Sequence, residues 1–555
     1  MFVELSLLLS AQVVGGEFES KAAYFGGEAS ELLGSALADV GDVNNDGISD
    51  FAVTAPGATA NFLLQAGTVT VYSGRDQTKL HVMKGHRGYG HLGRSVSAAG
   101  DVNADGYADF LIGAPDDSPL GAFDSGSAYV ISGVNGSIIH HFLGVTSGAT
   151  CGYSVAGPGD LNGDGYDDVA IGFPFADSGG LSQNGFIVFY SGLNGNVLFQ
   201  VDGTADGDTL GYSMDAAGDV NGDGIGDVVV GSAYADFFFG KAHAISGADG
   251  SILREHYGQN TYISYGESVA GVGDINHDGF DDYAAGEAAS HYAGFFAGSV
   301  FVYSGLDGST LLRVDGTDAE GYLGFGVDSL GDFDLDGTPD LLIGSPGKTL
   351  PGRSDTGAAG IYSGATGGLI FEFAGSSDQT SYGSTVAGLG DQNGDHYPEV
   401  LIGDPYYSST GGSFLGSVHL SGLNPFLNAT TDSVSASTGG LIGLDVTFPQ
   451  VTQNWEYRIL MSAAGIGSIN LGVEIPLAMD PLVTNTFFGI YPGGLTLVNM
   501  QGTLDFIGNA VAWIGVPPNT YGALAGRSIY MAAIAIQPFG MPAFSSVAVG
   551  IEIQP

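Results

Sequence analysis

The sequence predicts an all-β chain: a seven-bladed β-propeller followed by an apolar, β-sandwich-like C-terminal domain. Three observations carry this. The string GDVNNDGISD at Gly41–Asp50 returns six more times, as GDVNADGYAD, GDLNGDGYDD, GDVNGDGIGD, GDINHDGFDD, GDFDLDGTPD and GDQNGDHYPE. Each copy sits in a unit with room for four short strands. Beyond residue 422 both the repeat and the acidity stop.

The repeat comes first, because a period of this length decides the architecture. The leading aspartates are Asp42, Asp101, Asp160, Asp219, Asp274, Asp332 and Asp391, spaced by 59, 59, 59, 55, 58 and 59 residues. Eight residues before each stands a glycine, from Gly34 to Gly383, preceded in six copies by a large apolar residue and in the third by Cys151. That register makes the lone cysteine a small core residue rather than a nucleophile. With no second cysteine the chain has no internal disulfide.

Each acidic string runs into an apolar stretch such as DFLIGAP or DVAIGFP, short and β-branched enough for a buried strand. An alternating run such as GTVTVYSG or GSAYVISG follows, then a fourth such as LHVMKG. Four short strands repeated seven times suit a propeller. The first unit is preceded by a spare fourth-strand run, FESKAAYFG at 18–26, and the seventh stops at Gly422 without one. The N-terminal strand is therefore expected to complete the last blade and leave no open edge.

Composition narrows the partners. Sixty Asp and Glu face thirteen Lys and Arg, a net charge of −47. Such a chain repels nucleic acid and anionic membrane. No apolar run is long enough for a transmembrane segment. Residues 1–11, within MFVELSLLLSAQ, lack a basic stretch; they read as the remnant of a secretory signal or as an ordinary terminus. The 95 glycines follow no collagen-like triplet and suit many tight turns.

The acidic strings share the pattern D-x-N-x-D-G-x-x-D. Side-chain oxygens recur at positions 1, 3, 5 and 9, position 7 can offer its backbone carbonyl, and position 6 needs glycine for the turn. A hard divalent cation wants several oxygens at once, and an all-protein oxygen cage favours calcium over magnesium. A bound cation also turns repulsion among the carboxylates into attraction. The predicted ligands are Asp42, Asn44, Asp46, Ile48 and Asp50 in the first loop, and Asp101, Asn103, Asp105, Tyr107 and Asp109 in the second. The third has Asp160, Asn162, Asp164, Tyr166 and Asp168; the fourth, Asp219, Asn221, Asp223, Ile225 and Asp227. The fifth has Asp274, Asn276, Asp278, Phe280 and Asp282; the sixth, Asp332, Asp334, Asp336, Thr338 and Asp340. The seventh has Asp391, Asn393, Asp395, Tyr397 and Glu399.

An EF-hand needs a glutamate at position 12; here that position is Val53, Ile112, Ile171, Val230, Ala285, Ile343 and Ile402, inside the apparent strand. The loops are therefore read as β-hairpin loops. Asp334 adds charge and should tighten the sixth site. His396 for glycine and Glu399 for aspartate should leave the seventh weakest or empty.

Together the LG/YG pair, the acidic loop and the IGAP-like ending resemble the FG-GAP repeats of the integrin α-subunit β-propeller and its bacterial relatives, over residues 12–422. The resemblance implies calcium in loops on one face and ligand binding or adhesion elsewhere, in a secreted or cell-surface protein. The spacing leaves no room for an inserted ligand-binding domain, so no integrin ligand is carried over. Residues 423–555 hold nine charged residues, both tryptophans and five of the eight methionines. Runs such as GLIGLDVTF, YRILMSA and SIYMAAIAI read as strands of a sandwich, similar to the domain that follows FG-GAP propellers in some secreted bacterial proteins.

Catalytic signatures are sparse. GKT at Gly347–Thr349 lacks the glycine a phosphate loop needs five places earlier, where Leu342 stands. His140 and His141 are adjacent on a strand and point to opposite faces. The acidic loops join strands one and two, so hairpin alternation puts the strand 2–3 loops on the other face. Those loops carry Phe62, Phe123, Phe175, Tyr234, Phe237, Phe238, Phe239, Tyr292, Phe295, Phe296, Tyr406, Tyr407 and Phe414. The aromatics either form a surface for a protein or glycan ligand or fill the clefts between blades. The expected protein is a non-catalytic monomer that binds such a ligand. The rival is a calcium-dependent lyase or hydrolase acting on carbohydrate, which two acids and a basic or histidine side chain at the ring's mouth would favour.

Overall fold

The computed structural model describes residues 16–425 other than 260–263, 335, 350–352, 354, 377–379, 394–396 and 409–413; beyond 425 it describes strands alone. The chain divides into two compact units, one formed by Ser20–Ser421 and one that holds Gly422–Pro555.

The first unit is a seven-bladed propeller. Blades one to six each take four consecutive strands, as in Leu37–Gly41, Asp50–Ala55, Thr68–Tyr72 and Lys79–Lys84 of blade one. Neighbours in that sheet run antiparallel. The first strands of successive blades touch all the way round, and that of blade seven touches that of blade one. Second strands are buried along their whole length, as in DFAVTA, DFLIGA and DVVVGS. This is why they read as unbroken apolar runs rather than as alternation. Fourth strands alternate between exposed and partly buried positions because they form the rim.

The hairpin between strands one and two has a bulge in blades one to six, as at Asp39–Gly41. Gly41 sits opposite Asp50 with φ at +74°, a conformation a side chain would strain. The bulge turns the chain into the acidic loop and brings its ninth residue back beneath it.

Blade seven is composite. Its strands are Thr385–Gly388, Val400–Asp404, Ser417–Pro425 and, outermost, Gly16–Phe25. The N-terminal strand thus closes the ring as the spare strand-like run suggested. Ala22 and Tyr24 pack against a core shared with blade one that includes Phe51, Tyr72, Leu401 and Val418, and the Tyr24 and Tyr72 rings lie 4.6 Å apart. Each large apolar side chain buried there contributes about 1.5–3 kcal/mol.

The C-terminal unit contains a four-stranded sheet built around Gly440–Thr447 and Asn509–Val516, and a six-stranded sheet built around Arg527–Ile536 and Glu456–Ser462. Strands cover all or most of the apolar runs read from the sequence.

Candidate functional site

The acidic loops are built from their own carboxylates. In loop one, Asp42 accepts the Asp46 N–H at 3.0 Å and the Gly47 N–H at 2.7 Å, one on each oxygen. Asp46 accepts the Ile48 N–H at 3.0 Å. Gly47 turns the chain at φ +87°, and Gly106, Gly165, Gly224, Gly279 and Gly337 match it between +86° and +96°. Asp50 is fully buried and ties two elements together: its oxygens accept the N–H of Val43 and that of Gly74, in the turn between strands three and four, each at 3.0 Å. Asp109, Asp168, Asp227, Asp282 and Asp340 repeat this with Gly133, Gly192, Gly247, Gly305 and Gly364.

Positions 1, 5 and 9 are thus preorganised by backbone donors in six loops. Position 3 comes in two arrangements. Asn44, Asn103 and Asn162 turn their amide nitrogens to the ninth-position carboxylate. Asn221, Asn276 and Asp334 instead accept the position-5 N–H. Position-7 residues donate their N–H to the position-5 carboxylate in all six. In loop six, carboxylate oxygens of Asp332, Asp334 and Asp340 lie within 4.8 Å of one another. Of the seventh loop, Asp391, Asn393, Tyr397 and Glu399 are described; Asp395 and His396 fall outside the described residues.

The residues fit a hard divalent cation. Asn44 Oδ1 is buried without a hydrogen-bond partner, a costly state for an acceptor unless a cation or donor reaches it. Every donor is oxygen. Burial first, and the loop's other carboxylates next among the groups that raise it, push Asp50 up to about 6; burial and Asp334 push Asp340 up to about 7. A cation would reverse that pressure.

The opposite face differs from blade to blade. Phe62, Phe123 and Phe237 are 102%, 72% and 87% exposed, and Phe238, Tyr292, Phe295, Tyr406 and Phe414 are also exposed. Phe175, Tyr234, Phe239, Phe296 and Tyr407 are only partly exposed. Phe175 and Tyr234 pack into a chain of rings with Tyr153 and Tyr212. Some of these aromatics are thus packed among other rings and others are exposed, and the Phe237–Phe239 cluster is exposed at two of its three positions. Asp236, Phe237 and Phe238 all have φ between +51° and +69°, a left-handed turn that costs a non-glycine residue roughly 1–2 kcal/mol.

Sequence reasoning missed the mouth of the ring. A cavity of about 530 Å³ is lined by the residue following the repeat glycine in all seven blades: Ser35, Arg94, Tyr153, Tyr212, Glu267, Phe325 and Ser384. The Arg94 guanidinium lies 4.6 Å from the Tyr153 ring centre and donates to its hydroxyl at 3.1 Å. His91 Nδ1 lies 2.7 Å from Asp116 Oδ2 at the same mouth. The available signal was that this position changes chemistry from copy to copy while the glycine before it stays constant. Three acids on the innermost strands were missed too. Asp215 accepts the Gly271 N–H and Asp328 the Gly388 N–H, each from the next blade, at 3.0 and 2.9 Å; Asp39 accepts the Gly41 N–H at 2.8 Å. Burial, then the Asp215 charge, pushes Asp328 up to about 8.

The remaining chemical candidates are structural. Cys151 is buried, and burial pushes its thiol well above the ordinary range. Lys348 of the GKT string pairs with Glu372 and Asp318, and the next described element is the strand Ala358–Tyr362. His140 reaches the Gly192 carbonyl while His141 stacks on Tyr129.

Comparison with known proteins follows this geometry. The FG-GAP repeat model matches residues 36–72, 92–131 and 152–190, within the first three blades. Integrin alpha-V of Gallus gallus is 31% identical over 218 residues, 37% of this chain and 20% of the relative. Integrin alpha-5 of Xenopus laevis is 32% identical over 212 residues, 36% and 19%. Integrin alpha-8 of Mus musculus is 30% identical over 216 residues, 36% and 20%. The chain spans about a fifth of the length of these curated relatives. Among the described residues no helix is long and apolar enough to cross a membrane. A seven-bladed propeller with FG-GAP repeats in its first three blades, similar to these integrin alpha subunits, supports an integrin-like FG-GAP propeller protein.

Proposed function

We propose that the protein is a secreted or cell-surface recognition module, without catalysis of its own, whose propeller is stabilised by calcium in its acidic loops and binds a protein or glycan through the opposite face. The observation that carries the ligand reading is the set of exposed aromatics in the strand 2–3 loops, above all Phe237 on its left-handed turn. Exposed aromatic clusters of this kind are binding surfaces, and non-glycine residues held in left-handed backbone persist where a site needs them. Calcium is supported by the all-oxygen donor sets and the orphaned Asn44 oxygen. We take residues 12–422 as the propeller domain and 423–555 as a separate domain for anchoring, sorting or capping. A glycan array and a protein-ligand screen, each with calcium and with chelator, test the reading. Specific binding lost on replacing Phe237 and Phe238 supports it; binding indifferent to them counts against this face.

A second reading has one observation behind it. The mouth holds Arg94, His91, Asp116 and Glu267, the mixture expected of a carbohydrate-active enzyme. Release of reducing ends or unsaturated sugars from acidic and neutral polysaccharides, abolished in Arg94→Ala, would favour it.

A further inference from the structure

Blade seven breaks the rule the other six obey, and Lys21 stands at the break. In blades one to six the ninth loop position is a buried aspartate, and one oxygen accepts the N–H of the glycine in the turn between strands three and four. Blade seven has no such turn, because its fourth strand comes from the N-terminus. The ninth position is Glu399, one methylene longer and 1% exposed. One of its oxygens accepts the Gln392 N–H at 2.8 Å, as Asp50 accepts that of Val43. The other, which would have met the missing glycine, meets the Lys21 ammonium and the Asn393 amide. Lys21 lies on the strand that replaced the turn.

The seam beside it is polar in a second way. In the first four blades Val43, Val102, Leu161 and Val220, which follow the leading aspartate, lie against Gly133, Gly192, Gly247 and Gly305 of the next blade. In blade seven this residue is Gln392; it lies against Gly74 of blade one and donates to the Ser49 carbonyl at 3.2 Å.

We propose that the Lys21 ammonium is the resident cation of the seventh loop: it supplies to Glu399 the positive charge and the hydrogen bond that the other loops draw from a metal ion and a turn glycine, so this loop takes no metal. A buried carboxylate without its cation is strongly destabilising, so loop seven is complete only when the N-terminal strand is docked. The longer glutamate spans to the ammonium, and the polar Gln392 marks the same junction. The metal half of the proposal rests on the reading that the other loops hold calcium.

A double-mutant cycle on the full chain tests the latch. Melting temperatures are measured in saturating calcium for the parent, Lys21→Met, Glu399→Gln and the double variant. Each single change should lower the melting temperature by roughly 2–4 °C, and the double variant should lose less than the sum, because removing one charge strands the other. Additive effects, or a Lys21→Met variant that melts with the parent, overturn the proposal. Calcium counting by equilibrium dialysis gives the second readout. Glu399→Gln should bind as many ions as the parent, and Asp105→Asn one fewer. Loss of an ion from Glu399→Gln overturns the proposal. If Asp105→Asn loses none, the calcium reading fails in that loop, while the melting cycle still decides the latch.

Discussion

The two faces of the propeller are made from the same repeat and treated in opposite ways. On the loop face six blades reproduce one hydrogen-bond scheme at positions 5, 7 and 9, down to the backbone donors on the ninth-position carboxylate, while position 3 comes in two arrangements. On the other face the residue after the repeat glycine changes at almost every step, from Ser35 to Arg94 to Tyr153, and the strand 2–3 loops differ in length and aromatic content. Constancy belongs to the face where each blade solves the same problem of closing a hairpin around clustered charge. Variety belongs to the face free to meet something outside the molecule.

The contrast breaks most completely if the loop face is not a cation face. At about ten times the dissociation constant each calcium site adds about 1.4 kcal/mol. Six such sites sum to roughly 8 kcal/mol, which for a propeller of this size moves the melting temperature by roughly 10 °C. A scan in excess chelator that overlays the calcium scan removes that half of the comparison. Deleting residues 1–26 should have the next largest effect. It leaves Ser417–Pro425 as an open edge, and sedimentation should show aggregation; a monomer melting with the parent would mean that blade seven needs no fourth strand.

Exchanging damage between the faces sharpens the contrast. Phe237→Ser and Phe238→Ser together should weaken ligand binding tenfold or more, with the melting temperature little changed and the calcium count unchanged. Asp105→Ala should do the reverse. Equal loss of binding in both, once folded protein is compared, would mean the faces are not independent. The smallest expected effect lies between them, on the inner wall. Asp328 is raised to about 8 in the folded chain, by burial first and the Asp215 charge second. A carboxyl raised in this way keeps its proton in the folded state after the unfolded chain has lost it. Its stabilising share is therefore complete below about pH 4 and gone above about pH 8. Asp328→Asn should raise the melting temperature by about 2 °C at pH 8.5 and leave it little changed at pH 4; an equal shift at both would show that its charge is not the cause.

The sequence made the loop face legible because seven copies in register let position 6 be read as a turn glycine and position 12 as a buried strand residue; Gly47 and Val53 are both as read. It exposed the ring closure because a spare strand and a missing one are countable. It did not expose the mouth. Arg94, Tyr153 and Glu267 are far apart in the chain, and only the circular stacking of first strands brings them to one cavity. Nor did it reveal why Glu399 differs from its six counterparts. The sequence marked that residue as a weaker ligand, but its partner, Lys21, stands 378 positions away, outside any repeat comparison. Phe239, beside the left-handed turn at Asp236–Phe238, is only partly exposed where its two neighbours are exposed, and no period reports that difference.

The composite blade also sets an order of events during synthesis. The strand Gly16–Phe25 is among the first parts of the propeller to be made, and its partner Ser417–Pro425 the last. At roughly 5–20 residues per second, the N-terminal strand must wait on the order of 20–80 s before the edge it closes exists. During that interval blades one to six can form only an open arc, with an unpaired strand at one end and bare first and second strands at the other. Such long-range pairing is slow, and the arc's ends present the same kind of edge that the finished ring hides. The finished ring gains its lack of edges at the cost of an assembly period in which two copies of this chain must be kept from closing each other.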